Sequence, residues 1–425
     1  MSTLGIEAPV GSLFRYARWS LYLTVAALPL YTVRWHYGPV PTTLLETLIV
    51  VTVALYVVAR WRVGARRPIP TPFDIPILAL LAAGAVAVFV AGDHRGALGL
   101  YRAYFLEPIA LFYVAVDLVR RDEDMRRLLY AFAAGSSAFA ILNLAVFIQA
   151  LRAHAVLVGA APNALYGDAN YVAMYLEPAF AFAAATLMLG RTTTMRIVGA
   201  VWLAITGTAL VLTFSKGSYL ALFALVALVV VTVPRWRVGV VAAIGVGLII
   251  ATQVPLMMAR IVTVSSSVDG RLQVFNNAFE AIRQSPLLGV GLAGYSFEFR
   301  GAMSEIYPHN LWLTFWVEVG IVGLAAFAVV FFVVQWRGWR LWPHTEGFWR
   351  VATWGSLAAL LLWFFHGLVD SPYWKNDMSI EFWVLVATIL VAERAMRLAG
   401  APAEVRRLEQ REVMGVPVVA DSPVA

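Results

Sequence analysis

The chain consists of long apolar segments that alternate with short polar connections. Each segment is long enough to cross a bilayer as an α-helix, because ~20 apolar residues span the hydrocarbon core and a helix satisfies its own backbone polar groups. The pattern therefore predicts an all-α polytopic membrane protein with about twelve transmembrane helices. These segments lie near residues 19–35, 41–59, 74–91, 101–118, 128–151, 169–189, 195–214, 217–233, 238–256, 310–335, 350–369 and 379–395.

The composition supports this class and excludes others. Hydrophobic residues make up 61% of the 425 residues and charged residues 13%, whereas soluble domains average roughly 45–50% and about 25%. Soluble α/β enzymes, disordered chains and coiled coils are therefore excluded. The chain has no cysteine, so it forms no disulfide, thiolate nucleophile or zinc–thiolate site.

Lysine and arginine are distributed unevenly between the connections. The net charge is +7, and a cytoplasmic N-terminus puts 22 of the 32 basic residues on the cytoplasmic side. Every cytoplasmic connection then carries at least two of them, as the positive-inside rule requires. The charges predict that both termini are cytoplasmic and that the longest connection, residues 257–309, is external. The cytoplasmic connections account for the positive net charge, so no nucleic-acid partner is expected.

The predicted organisation is one membrane domain with a short tail. Residues 1–399 form the polytopic domain, and residues 400–425 form a cytoplasmic tail whose prolines predict disorder. Helical spacing within 257–309 predicts an amphipathic helix opened by Arg271 and ended by Ser285-Pro286. This helix either lies at the membrane surface or packs against the rest of the protein. Its apolar stripe consists of Leu272, Phe275, Phe279 and Ile282.

Three cations on the predicted external side are each tied to a helix end. Lys216 occupies a very short turn between the seventh and eighth segments, Arg271 opens the amphipathic helix, and His309 follows Tyr307-Pro308. Such groups can converge on an anion, for which phosphate is the natural candidate. Alternatively, the lysine and arginine contact lipid headgroups, and the histidine caps a helix or sits at the interface.

Several polar residues at membrane depth are either buried against a partner or functional. Glu107 and Glu177 each precede a proline, and Glu318 lies in the tenth segment. His366 and Asp370 are four residues apart and can share a helix face, although two ligands do not make a metal site. Gly289 to Gly294 fit a dinucleotide fingerprint without the strand that it requires, so a flexible loop is predicted instead.

Several motifs in order resemble the core of the O-antigen ligase and O-antigen polymerase superfamily. The similarity covers about residues 160–385, and the first four segments match only in general character. The motifs are Asn163 to Asn170 with Tyr171 to Ala173, Ser215 to Gly217, Arg271 with Asn277, Ser285 to Gly291, His309-Asn310, Glu318 to Gly323 and Asp370 to Asp377.

This resemblance implies a bacterial multi-pass glycosyltransferase of the cytoplasmic (inner) membrane, with its active site on the external face. Its donor would be a glycan on undecaprenyl diphosphate, and its acceptor a lipid A–core sugar for a ligase or another carrier-linked repeat for a polymerase. Arg271 would bind diphosphate and His309 would be the catalytic residue. Lys216 stands where the family commonly has arginine. The lysine keeps the positive charge but lacks the two-pronged guanidinium that can bind a phosphate through two hydrogen bonds.

The chemistry expected from this resemblance needs no cofactor or metal. Lys216 and Arg271 would stabilise charge on the leaving diphosphate, and His309 would accept the proton of the acceptor hydroxyl in one inverting displacement. Supporting roles are expected for Asp370, which would orient His309 or another polar group, and for Asn310 and Glu318. The alternative is a transporter or flippase of lipid-linked glycans, which the number of segments also suits.

Overall fold

The computed structural model describes residues 10–38, 40–64, 69–157, 160–253, 264–298 and 307–400. Over these residues the chain is almost entirely α-helical, with one antiparallel hairpin, β1 (Arg34–Tyr37) and β2 (Val40–Thr43). The predicted tail lies outside the described residues except for Gly400, and so do 257–263 and 299–306 of the long connection. The helices are α1 Val10–Ala26, α2 Leu44–Arg62, α3 Asp74–Val90, α4 His94–Tyr101, α5 Glu107–Leu118, α6 Asp122–Arg152, α7 Ala169–Leu189, α8 Thr193–Leu212, α9 Lys216–Thr232, α10 Arg237–Gln253, α11 Val264–Gln284, α12 Gly294–Glu298, α13 Leu311–Leu341, α14 Gly347–His366 and α15 Asn376–Ala399.

The all-α fold class is confirmed, and the helices identify a multi-pass membrane protein. Among the described residues, six helices are long and apolar enough to cross a membrane. They are α2, α6, α7, α8, α13 with the turn that follows it, and α14. A seventh span results if α9 and the segment Pro234–Gly247, which meet at 119°, count as one. The total of about twelve transmembrane helices stays a prediction.

The first predicted segment, 19–35, is wrong in its bounds. Helix α1 ends at Ala26, a 3₁₀ turn covers Leu28–Thr32, and β1 follows. Pro29 lies at the start of the 3₁₀ turn, where its missing N–H and fixed φ suit a helix start and end the preceding helix. Hydropathy alone does not distinguish this turn and hairpin from a longer span.

Helices α7 and α14 form the centre of the bundle. In each of them 78% of the most apolar stretch is buried, against 28% in α8 and 33% in α2. Helix α7 packs against α8 and α14, and α14 also contacts α9 and α15. Polar side chains on α7 and α14 are therefore those that the structure must satisfy internally.

Helix α11 has two apolar faces rather than the single predicted stripe. Val274, Ala278, Ala281 and Ile282 are buried in one cluster with Val317 of α13, whereas Leu272 and Phe279 of the predicted stripe remain exposed. The helix thus packs against the protein, one of the two predicted alternatives, and still presents an apolar surface. Its position outside the membrane stays a prediction.

The connections that the charge pattern assigns to the external side meet at one end of the bundle. Asn376 of α15 donates to Glu46 at the start of α2 (3.1 Å), and Arg102 pairs with the same carboxylate (2.8 Å). Arg102 also pairs with Glu107 (3.1 Å), which gives that buried acid a partner. At the opposite end, Arg60 pairs with Asp117 in the same way (3.0 Å).

Candidate functional site

The centre of the site is a contact between His309 and Asp370. The imidazole Nδ1 lies 3.2 Å from Asp370 Oδ1. The carboxylate is buried, and the backbone N–H of Ser371 also donates to it (2.9 Å). The histidine side chain is 24% exposed. This arrangement places a proton-accepting ring at the surface with a buried acid behind it, which is the geometry expected of a general base.

The backbone around His309 is held in an unusual conformation. His309 has φ +49°, a left-handed value that costs a non-glycine residue free energy and that active sites often contain. Asn310 caps α13 by accepting from the N–H groups of Trp312 and Leu313 (3.0 Å each). The Asn310 amide also donates to Leu368 O (3.1 Å), so this residue supports the site by joining the start of α13 to the connection that carries Asp370.

The charge of Asp370 is maintained by its surroundings. Burial raises the pKa of this carboxyl. The hydrogen bond and charge of His309, together with His366 and the Ser371 N–H, lower the pKa by more than burial raises it, so the net pKa lies below the usual value of 3.8. A carboxyl whose pKa is lower in the folded than in the unfolded protein stabilises the fold fully when the pH is above the unfolded-state pKa. This stabilisation is lost as the pH falls through the folded-state pKa. The Asp370 carboxylate is therefore ionised at neutral pH and can accept a hydrogen bond from His309.

The turn that carries Lys216 is short and anchored, as the sequence predicts. Only three residues separate α8 from α9. Phe214 adopts φ +53° and is buried against Phe147, while Ser215 caps α9 by accepting from Ser218 N (3.4 Å). Lys216 is the first residue of α9 and is half-buried. The backbone from which the Lys216 side chain extends is therefore fixed in position.

A second histidine–carboxylate pair lies beneath that turn. The Nδ1 of His366 is 2.5 Å from Glu177 Oε1, and the Ser218 hydroxyl donates to the same oxygen (2.8 Å). Both His366 and Glu177 are almost completely buried. The structure thus does not pair His366 with Asp370 as metal ligands; each has a different partner. Among the described residues, no group of three or more His, Asp or Glu side chains gathers to hold a metal.

Glu318 supports a loop at the break in α13. Gly320 has φ +72°, and the residue 287–290 segment satisfies the freed backbone groups: Ile321 N donates to Leu287 O (3.2 Å) and Val290 N to Val317 O (2.7 Å). The Glu318 carboxylate accepts from the backbone N–H groups of Ala293 and Tyr295. Gly289 to Ala293 form a loop, as predicted, and its glycines allow it to pack against helix backbone.

Arg271 lies within α11, not at its start. The helix begins at Val264, so Arg271 is two turns from the N-terminus and beyond the reach of the dipole, which acts within the first turn. The predicted helix start at Asp269-Gly270 is wrong; a glycine inside a helix costs only about 1 kcal/mol, which packing against α13 can offset. The Arg271 side chain lies outside the described residues.

Sequence reasoning did not find the contact that Lys375 makes with Tyr171. Its ammonium lies 3.6 Å from the centre of the Tyr171 ring, a cation–π contact. Burial lowers the pKa of Lys375, and the charges of Asp377 and Asp168 oppose that shift. All these residues belong to segments that carry the family resemblance, but their pairing across more than 200 positions leaves no local signal in the sequence.

Comparison with known proteins gives one family match. No curated protein matches the chain. Residues 199–328 match the family model described as O-antigen ligase. The matched range contains the Lys216 turn, Arg271, His309 and Glu318. This match supports the resemblance of the chain to the O-antigen ligase and O-antigen polymerase superfamily over residues 199–328.

Proposed function

We propose that the protein transfers a glycan from undecaprenyl diphosphate to an acceptor sugar on the external face of the bacterial cytoplasmic membrane. The observation that carries this proposal is the His309–Asp370 contact of 3.2 Å. It lies at the end of the bundle where Lys216, a cation at a position where the family commonly has arginine, begins α9. The family match supports glycan transfer of the ligase or polymerase type.

The proposed reaction is a single displacement. Because Nδ1 of His309 faces the Asp370 carboxylate, that nitrogen carries the proton and Nε2 acts as the base. As Nε2 takes the hydroxyl proton of the acceptor, its oxygen forms a bond to the anomeric carbon. The sugar–phosphate C–O bond breaks, and its electron pair leaves with undecaprenyl diphosphate. The anomeric configuration is thereby inverted.

The leaving group gains negative charge in this step. Lys216 and Arg271 are the proposed cations that stabilise it, a contribution that needs no metal. In this scheme Asn310 and Asp370 hold the base in place, and Glu318 holds the neighbouring loop.

A transporter of lipid-linked glycans is the alternative from another class. Transporters commonly bind at the bilayer midplane between repeated halves. Here the His309–Asp370 pair lies in connections at one end of the bundle rather than in mid-helix. Formation of a glycosidic product by purified protein separates the two functions, because a transporter forms none.

The proposed face of the membrane is testable by labelling. The chain has no cysteine, so single cysteines at Ser266 and Ser304 should react with an impermeant thiol reagent in intact cells. Glu346, which is exposed in the connection before α14, provides the matched control: a cysteine there should react only after lysis. The reverse pattern would place the site in the cytoplasm and exclude an external reaction.

A further inference from the structure

We propose that the buried Glu177–His366 pair is a positioning device that fixes Lys216 relative to the His309–Asp370 pair. This inference rests on the proposed function, since it concerns the cation assigned to the donor diphosphate. Glu177 and His366 themselves are too deeply buried to touch the donor, so they would act through Lys216. No role follows for either residue from the family match alone.

Glu177 joins three helices at one oxygen. It belongs to α7, and its Oε1 accepts from Ser218 of α9 (2.8 Å) and contacts His366 of α14 (2.5 Å). Burying a carboxylate is costly unless partners satisfy it. The two contacts offset that cost only when the first turn of α9 lies beside Glu177 of α7, as it does here.

The following proline strengthens the same interface. Pro178 has no N–H, so the carbonyl of Met174, four residues earlier, loses its helical partner. The indole of Trp363 in α14 donates to that carbonyl (3.0 Å). Trp363 and His366 are one helical turn apart, so α14 is fixed to α7 at two successive points.

The first turn of α9 rests directly on the His366 ring. Gly217, the residue after Lys216, is so close that a Cβ atom there would overlap the imidazole. The imidazole is therefore the surface that supports the Lys216 backbone, and only glycine fits between them.

His366 also determines where Asp370 lies. Its carbonyl accepts from the backbone N–H of Asp370 and from that of Val369 (2.9 Å each). His366 thus contacts the turn that carries Lys216 through its ring, and it contacts Asp370, which lies behind His309, through its backbone carbonyl. A shift of His366 would change the separation of the diphosphate cation and the base.

The proposal is tested by affinity for undecaprenyl diphosphate, the carrier common to every donor that the proposed function allows. Glu177→Leu removes both contacts and should weaken binding about tenfold or more, the size expected for hydrogen bonds to a charged group. Glu177→Gln keeps an accepting oxygen and should stay within about threefold of wild type. Ser218→Ala, a milder change, should weaken binding by about two- to fivefold.

The matched control is Asp117→Leu. Asp117 is also buried and accepts from Tyr56 (2.8 Å), but at the opposite end of the bundle. This variant should lose thermal stability as Glu177→Leu does, while its affinity for the carrier stays unchanged. Equal loss of affinity in both variants would show a general structural effect and overturn the proposal.

A double-mutant cycle tests whether Glu177 acts through Lys216. In a Lys216→Ala background, Glu177→Leu should cause no further loss of carrier affinity, because coupled residues are not additive. Independent, multiplicative losses would overturn the positioning role. If the wild-type protein binds the carrier and Glu177→Leu and Ser218→Ala do not weaken it, this inference fails alone. If the wild-type protein does not bind it, the proposed function fails as well.

Discussion

Replacement of His309 by alanine should reduce glycan transfer by about 10²–10⁴-fold, the usual contribution of a general base. Binding of the carrier lipid should change little, because the proposed cations Lys216 and Arg271 remain. The reason for the large effect is that Asp370 would face no imidazole and the acceptor hydroxyl would have no base. Transfer is measured as glycosidic product per unit of membrane-inserted protein.

His309→Asn is the control for folding. Asparagine tolerates the left-handed backbone conformation at this position and can still donate to Asp370, but it is not a base. This variant should fold as wild type does and be as inactive as His309→Ala. His94→Ala removes an exposed histidine whose Nδ1 lies 3.0 Å from the backbone oxygen of Val88, and should keep full activity. Full activity of His309→Asn would exclude this residue as the base.

Replacement of Arg271 by alanine should reduce transfer about a hundredfold or more. An interaction made with charge that develops in the transition state contributes roughly 3–4 kcal/mol. Arg271→Lys should retain much more activity, since it keeps the charge and loses only the planar guanidinium. Lys216→Arg should be tolerated for the same reason.

Arg283→Ala is the matched control for Arg271. Arg283 lies in the same helix, its side chain is 78% exposed, and it pairs with Glu280 (3.5 Å). Exposed pairs of this kind contribute little, so transfer should be unchanged. Wild-type turnover by Arg271→Ala would contradict the diphosphate role, and equal losses in both arginine variants would indicate a nonspecific effect on α11.

The sequence predicts the parts of this structure that depend on local pattern. Apolar length locates most of the helices, the short turn at Lys216 follows from the spacing of two apolar runs, and the His309-Asn310 motif marks the start of α13. In the structure Asp370 contacts His309, one of the partners that the sequence allows for it. Its catalytic importance stays a prediction.

The parts that the sequence does not reveal depend on contacts between distant helices. Glu177 and His366 are 189 positions apart, so no local pattern links them; the sequence indicates only that His366 can share a helix face with Asp370, four residues further on. The buried face of α11 differs from the predicted stripe because its partner, Val317, lies across a long connection. Small residues such as Ala278 carry little hydropathy and yet form that interface.

The central claim, metal-independent glycan transfer, is tested most directly with purified protein in EDTA. The assay contains an undecaprenyl-diphosphate-linked glycan and an acceptor glycolipid, and it detects the glycosidic product and the released carrier. We expect equal amounts of product and undecaprenyl diphosphate, an inverted anomeric configuration, and no product with His309→Ala. Absence of product from the wild-type protein, both with and without added divalent metal, would contradict glycan transfer, and product that forms only with metal would contradict the metal-independent mechanism.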